Sequence, residues 1–280
     1  MKHFTTVYEI SDPPLLVKEA LELKRNPYSF KKLGEDKTLG LIFLNASLRT
    51  RLSTQKAARM LGMEVMVMNM DKEGWTIEWN DGAVMNGSSV EHIKEAAAVL
   101  GNYCDVLGIR CFPGLTDREK DYSEHMLIQI IRYSNVPVIS LESATLHPLQ
   151  SLADAITIQE YRKERGQPKV LLTWAPHIKP LPQAVANSFA EWMTKMDVNL
   201  TVAHPKGYEL KEDYTKGATV IYSQEEALRN ADFVYVKNWA SYNDYGKMPL
   251  VKENWMLDEM KYAFTNQAYI CLLYTSPSPR

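Results

Sequence analysis

Leu39-Gly40-Leu41-Ile42-Phe43-Leu44-Asn45-Ala46-Ser47-Leu48-Arg49-Thr50-Arg51 begins as a short apolar run and ends in hydroxyls and guanidinium groups. Leu39–Leu44 has the length and composition of a buried strand. Asn45-Ala46-Ser47 turns it into a helix predicted over Leu48–Leu61. The apolar residues of that helix spread around the wheel, so alanine, lysine and glutamine propensity carries the prediction, with Gly62 at its end. A strand–loop–helix order aims the unsatisfied N–H groups of the first helical turn at the strand's carboxyl end. Such a terminus binds phosphate-like anions. The helix dipole contributes only about 0.3–1 kcal/mol near a surface, so Arg49 and Arg51, whose planar forks match phosphate oxygens, must carry much of the affinity. The plainer alternative is Ser47 as an N-cap with both arginines in solvent.

Outward from this stretch, strand-sized runs alternate with helical ones, the pattern of parallel sheets with crossover helices. Strands are predicted at Glu64–Met70, Cys104–Arg110 and Val136–Leu141, with helices at Val90–Leu100 and Asp121–Tyr133. Ser88 and Glu91 fit a capping box for the first of these helices; Ile93, Ala96, Ala97 and Leu100 share one face, and Gly101 should stop it. A helix at Pro148–Arg162 leaves the first domain, and the charged segment Tyr161–Lys169 leads into a strand at Val170–Trp174. A helix at Gln183–Met196 follows, with Val185, Phe189, Trp192, Met193 and Met196 at helical spacing. Strands come next at Asn199–Ala203, Thr219–Tyr222 and Asp232–Val236, the last after a short helix capped by Ser223 and Glu226. The fold class is therefore α/β: two doubly wound parallel-sheet domains, residues 1–150 and 151–270, with the site in the cleft between them at the strands' carboxyl ends. Residues 271–280 form an atypical tail whose Thr-Ser-Pro-Ser-Pro-Arg ending has a disordered composition.

The 280 residues are long for one core and comfortable for two. With 45% hydrophobic and 24% charged residues, a soluble globular protein is the default. A net charge of −2 gives no basic field, which argues against nucleic acid as a partner. The apolar runs are too short for a membrane helix, and the N-terminus lacks the pattern of a signal peptide. Three cysteines without a CxxC suit structural, reduced thiols and a cytoplasmic location. Six scattered histidines and no HExxH give no expected metal site. A nucleotide-binding dehydrogenase is disfavoured because no GxGxxG follows a strand.

Ser47-Leu48-Arg49-Thr50-Arg51 and, further on, His147-Pro148-Leu149-Gln150-Ser151-Leu152-Ala153-Asp154 resemble the Ser-x-Arg-Thr-Arg and HPxQxLxD motifs of the aspartate/ornithine carbamoyltransferases. The resemblance implies that Ser47, Leu48, Arg49 and Thr50 hold the phosphate of carbamoyl phosphate, with Thr50 also near the carbonyl oxygen. It implies that Arg110, His147 and Gln150 hold the carbamoyl group, without a cofactor or covalent intermediate. The ordinary ornithine enzymes' Asp-x-x-Ser-Met-Gly is absent; Val236-Lys237-Asn238-Trp239-Ala240-Ser241-Tyr242 stands in its place. That segment and Thr173-Trp174-Ala175-Pro176-His177 resemble the branch acting on N-acylated ornithines. By the same resemblance Glu142, His177 and Lys237 contact the amino-acid substrate, and Trp75 reaches into a neighbouring subunit's site within a homotrimer. In this branch a glutamate in one loop goes with an acetyl substrate and a proline with a succinyl one. Val90 aligns there, and its neutrality favours N-succinylornithine over N-acetylornithine in a reaction of arginine biosynthesis. The family continues with a His-Cys-Leu-Pro segment where this sequence reads Ile270-Cys271-Leu272-Leu273. The expectation is a sequence truncated there and finished with foreign residues, with Cys271 not catalytic. A non-catalytic phosphate-binding paralogue is the alternative from another class.

Overall fold

A computed structural model describes residues 2–70, 76–163 and 166–273. The described chain divides into two compact units. One takes Met1–Ser11, Lys18–Gly114 and Glu119–Leu149; the other takes Asp12–Val17, Leu115–Arg118 and Gln150–Arg280. A first helix, α1 (Pro13–Arg25), was not anticipated from the sequence. Then come β1 (Thr38–Phe43), α2 (Arg49–Met60), β2 (Glu64–Asn69), the two-residue strands β3 (Ile77–Glu78) and β4 (Glu91–His92), α3 (Ile93–Tyr103) and β5 (Val106–Arg110). The short α4 (Arg118–Tyr122), α5 (His125–Ser134) and β6 (Val138–Glu142) follow.

The first sheet is parallel in the order β2-β1-β5-β6. Its residues alternate between two apolar layers, as expected for a sheet covered on both faces. Leu39, Leu41 and Phe43 pack with Ala58 of α2 and with Leu141. Ile42, Leu107 and Ile109 pack with Ile93 and Ala97 of α3 and with Leu127 and Ile130 of α5. The end of α2 is set by Gly62, in the left-handed region at φ 86°. Gly62 N–H donates to the Arg59 carbonyl (3.1 Å) and Met63 N–H to the Ala58 carbonyl (3.0 Å), the paired bonds of a Schellman motif.

Several local predictions change. Ser88 and Glu91 do not cap α3. Glu91 pairs with Ile77 in the small sheet, and the His92 ring accepts from the Lys94 N–H at 3.2 Å. Gly101 does not stop α3 but lies inside it, where a side chain would collide with the Ser134 carbonyl at the end of α5. Its role is close helix approach. The helix expected over Asp121–Tyr133 is broken at Glu124, whose backbone is left-handed (φ 51°).

The second unit contains most of α6 (Pro148–Tyr161), then β7 (Lys169–Trp174), α7 (Ala184–Met193), β8 (Asn199–Ala203), α8 (Glu212–Thr215) and β9 (Thr219–Ile221). After these come α9 (Gln224–Leu228), β10 (Phe233–Lys237), α10 (Glu259–Tyr262) and β11 (Tyr269–Leu273). Its parallel sheet has the order β11-β10-β7-β8-β9. The apolar stripe predicted for α7 understates the result, because all ten of its residues are buried. A helix enclosed on every side gains little from amphipathicity, and periodicity is a weak guide to it. Strand β11 pairs along β10 with Cys271 opposite Tyr235. The sheet therefore takes in residues 271–273, which the sequence had assigned to the tail. Ser223 accepts from the Glu226 N–H (3.3 Å) at the start of α9, as expected.

Candidate active site

Each sheet has one place where its strand order reverses, and in open α/β sheets ligands bind outside the carboxyl ends of the strands there. In the first sheet the reversal lies between β1 and β5. Beyond β1, Leu44 N–H donates to the Arg110 carbonyl (3.0 Å), and Phe112 N–H donates to Asn45 Oδ1 (2.6 Å). These bonds tie the turn after β1 to the end of β5. Helix α2 then starts at Arg49, with Leu48 at the cap position making no side-chain cap bond. Ser47 thus precedes the cap position of α2 rather than occupying it. Leu48 is 73% exposed.

Arg110 is the centre of the group. Its Nη1 donates to Thr50 Oγ1 at 3.0 Å, and its Nη2 lies 3.1 Å from Glu142 Oε2. The same carboxylate oxygen is 3.5 Å from His147 Nε2. The guanidinium also lies over the Phe112 ring, 4.5 Å from its centroid. Burial lowers the Arg110 pKa; Glu142 pushes it back up, and the nearby positive charge of Arg49 lowers it further. Buried charges must be paired to be tolerated. Here Glu142 supplies the pairing, while Arg110 Nε is buried without a hydrogen-bond partner among the described residues. Arg51 points elsewhere: its guanidinium donates to Asn69 Oδ1 and lies 5.2 Å from the Phe43 ring.

The structure therefore brings together Thr50, Arg110, Glu142 and His147, with Arg49 near enough to act on Arg110. Val90 lies apart, 64% exposed in a loop whose backbone donates to the Thr76 carbonyl (2.9 Å). Trp75 lies outside the described residues. One residue that sequence reasoning missed is Glu124. Its carboxylate accepts from the Ser143 hydroxyl (2.6 Å), the Thr145 N–H (2.8 Å), the Ala144 N–H (3.3 Å) and the Thr145 hydroxyl. Burial raises its pKa, against the lowering effect of these donors. The buried Cys111 thiol is pushed up by burial and by the charges of Glu124 and Glu142, so it is held neutral. Within Asp121-Tyr122-Ser123-Glu124-His125 nothing marked Glu124 as different from a solvated helix carboxylate.

In the second sheet the order reverses between β7 and β10. Lys237, buried at the end of β10, is in register with Trp174, and its carbonyl accepts from the Ala175 N–H (3.1 Å). His177 is three residues beyond β7, where its Nδ1 accepts from the Lys179 N–H (3.1 Å). The loops are clamped by indoles. Trp174 Nε1 donates to the Trp239 carbonyl (3.0 Å), and Trp239 Nε1 to the Tyr208 carbonyl (2.8 Å). Gln150, in the first turns of α6, donates from Nε2 to Asp154 Oδ1 (3.1 Å). Burial pushes the Asp154 carboxyl up to about 7.

A family model described as the aspartate/ornithine carbamoyltransferase, carbamoyl-P binding domain, matches residues 2–160. The chain belongs to this family of enzymes. It is 48% identical over 271 residues to the N-succinylornithine carbamoyltransferase of Bacteroides thetaiotaomicron, covering 96% of this chain and 85% of that protein. It is 37% identical over 292 residues to the N-acetylornithine carbamoyltransferase of Xanthomonas campestris pv. campestris, covering 95% and 84%. Among solved structures it resembles a glutamate-to-valine variant of N-acetyl-L-ornithine transcarbamylase complexed with carbamyl phosphate and N-succinyl-L-norvaline. That match has a TM-score of 0.87 and 35% identity, over 96% of this chain and 87% of that one. No described helix is long and apolar enough to cross a membrane.

Proposed function

We propose that the chain transfers the carbamoyl group of carbamoyl phosphate to the side-chain amine of N-succinylornithine, giving N-succinylcitrulline and phosphate. The observation that carries this reading is the Thr50–Arg110–Glu142–His147 cluster beside the start of α2. Ser47, Leu48, Arg49 and Thr50 take the phosphate at the helix terminus. The mutual proximity of Arg49 and Arg110 supports an anion there, because a dianion between two guanidinium groups relieves their repulsion. The deprotonated amine attacks the carbamoyl carbon. Thr50, Arg110 and His147 stabilise the oxyanion and Gln150 orients the carbamoyl group; as the C–O bond to phosphate breaks, the new C–N nitrogen gives up one proton to the departing phosphate. Glu142, His177 and Lys237 hold the amino-acid part of the acceptor. Alignment of two substrates can supply roughly 7–11 kcal/mol of the rate enhancement.

Val90 is the basis for preferring succinyl over acetyl. A neutral residue leaves no carboxylate to repel the succinyl carboxylate. The solved variant in which valine replaces glutamate is itself complexed with a succinyl compound. The same reading carries a homotrimer and a cytoplasmic role in arginine biosynthesis. The test is titration calorimetry with carbamoyl phosphate on the wild type and Arg49→Ala. The variant should bind at least about tenfold more weakly, a loss of about 1.4 kcal/mol; unchanged affinity would remove Arg49 from the site.

A further inference from the structure

Glu124 stands before the first residue of α5, where a side chain ordinarily caps its own helix. It makes no such cap bond. Its left-handed backbone (φ 51°, ψ 32°) instead sends the carboxylate to the loop after β6. Non-glycine residues in that region are uncommon and persist only where the surroundings over-determine them. The over-determination is visible here. The carboxylate accepts four hydrogen bonds from Ser143, Ala144 and Thr145, three successive residues. The loop is also closed on itself, with Ser143 N–H donating to the Leu146 carbonyl (2.8 Å) and Leu146 N–H to Ser143 Oγ (3.2 Å).

The residues at the two ends of this loop are Glu142, paired with Arg110, and His147, 3.5 Å from the same carboxylate oxygen. The loop's conformation therefore sets the spacing of Glu142, His147 and Arg110. We propose that Glu124 is a positioning residue for carbamoyl transfer, locking the Ser143–Leu146 loop so that Glu142 and His147 stay in register on Arg110. The inference rests on the function proposed above. It adds a residue that touches none of the reacting groups and lies outside both sequence motifs. A misplacement of about 1 Å at a reacting group, caused by a change away from the chemistry, can cost about 100-fold in rate.

The test uses Glu124→Gln, which keeps the side chain's shape but turns one acceptor oxygen into a donor facing other donors. Thr145→Val is the milder second variant, removing one hydroxyl bond should Glu124→Gln fold poorly. Steady-state kinetics with carbamoyl phosphate and N-succinylornithine are paired with NMR of the ¹⁵N-labelled histidine rings, His147 being assigned through His147→Gln. The expected result is a kcat lowered by up to about 100-fold in Glu124→Gln and less in Thr145→Val. The KM for carbamoyl phosphate should change by less than about threefold, and the His147 ring resonances should move in both variants. Wild-type kcat with a lowered melting temperature, or unmoved His147 resonances, would reduce Glu124 to a structural carboxylate and overturn the proposal. If wild type itself transfers no carbamoyl group, the functional reading fails, and the His147 resonances alone decide whether Glu124 positions that ring.

Discussion

The two strand-order reversals are built from different materials. At the first, between β1 and β5, ionisable groups hold one another: Arg110 on Glu142, Glu142 beside His147, and Thr50 on Arg110. At the second, between β7 and β10, the frame is aromatic, with Trp174, Trp239 and Tyr208 linked through backbone carbonyls and the Trp174 and Tyr208 rings tilted against each other, centroids 4.6 Å apart. A group that must receive a phosphate and stabilise an oxyanion needs charge, and half-buried charge is tolerable only when neutralised before the ligand arrives. The aromatic residues of the second reversal are enclosed in the core, Trp239 wholly so, and they fix the loops around them by shape rather than by charge. There, packing does the positioning, with Lys237 and His177 as the polar groups that the family resemblance assigns to the acceptor.

The sharpest way to break this comparison is Arg110→Met. It removes the charge at the centre of the first group and leaves Glu142 buried without that partner. A fall in kcat on the order of 10³-fold is expected in steady-state assays. Urea unfolding should show about 3–5 kcal/mol of lost stability. A variant within threefold of wild type would show that the charges are structural ornaments.

Asp154 offers the next largest effect and bears on whether the second unit tolerates a charge. Its carboxyl rises from 3.8 to about 7 because burial penalises the ionised form. A group whose pKa is higher in the folded state contributes stability below the unfolded pKa and loses it as pH rises through the folded one. On the order of 4 kcal/mol should therefore be lost between pH 3.8 and about pH 7. Asp154→Asn should flatten that part of the stability profile, measured by chemical denaturation at several pH values. An unchanged slope would mean that Asp154 ionises freely.

A smaller effect is expected at the aromatic frame. Trp174→Phe keeps the ring but leaves the buried Trp239 carbonyl without its donor, costing about 1–3 kcal/mol. The KM for the acylornithine should rise while carbamoyl phosphate affinity holds, whereas the Arg49→Ala variant should show the opposite pattern. The smallest change belongs to Val90→Glu. At 64% exposure, its new carboxylate is well screened. The ratio of kcat/KM for succinyl over acetyl substrate should fall about tenfold, or 1.4 kcal/mol; a constant ratio would place acyl selection elsewhere.

How much of this was legible in the sequence follows the same division. Strand β1, the start of α2 and Arg110 at the end of β5 could be read directly, since local apolar runs and a strand–loop–helix order carry them. Helix α1 was missed, and the helix over Asp121–Tyr133 was drawn unbroken, because the break at Glu124 is dictated by donors some twenty residues away. The capping box at Ser88 was a sound local pattern that lost to a strand pairing between Glu91 and Ile77. Gly101 read as a helix stop for the same reason: its true constraint, the Ser134 carbonyl, comes from another helix. The aromatic frame left no local signal beyond tryptophans spaced through the second half. For the site, the two motifs carried Thr50 and His147 and the family resemblance added Arg110 and Glu142, but only geometry showed that Glu142 pairs with Arg110 and that Arg51 turns away to Asn69.

The central claim is that the charged cup beside α2 loads carbamoyl phosphate for transfer to an N-acylated ornithine. The direct measurement is product formation from carbamoyl phosphate with N-succinylornithine, N-acetylornithine and free ornithine, each followed as its citrulline derivative. The account predicts the highest kcat/KM for N-succinylornithine, a lower one for N-acetylornithine and little or none for free ornithine. Preference for free ornithine, or carbamoyl phosphate binding with no carbamoylated product from any of the three, would contradict it.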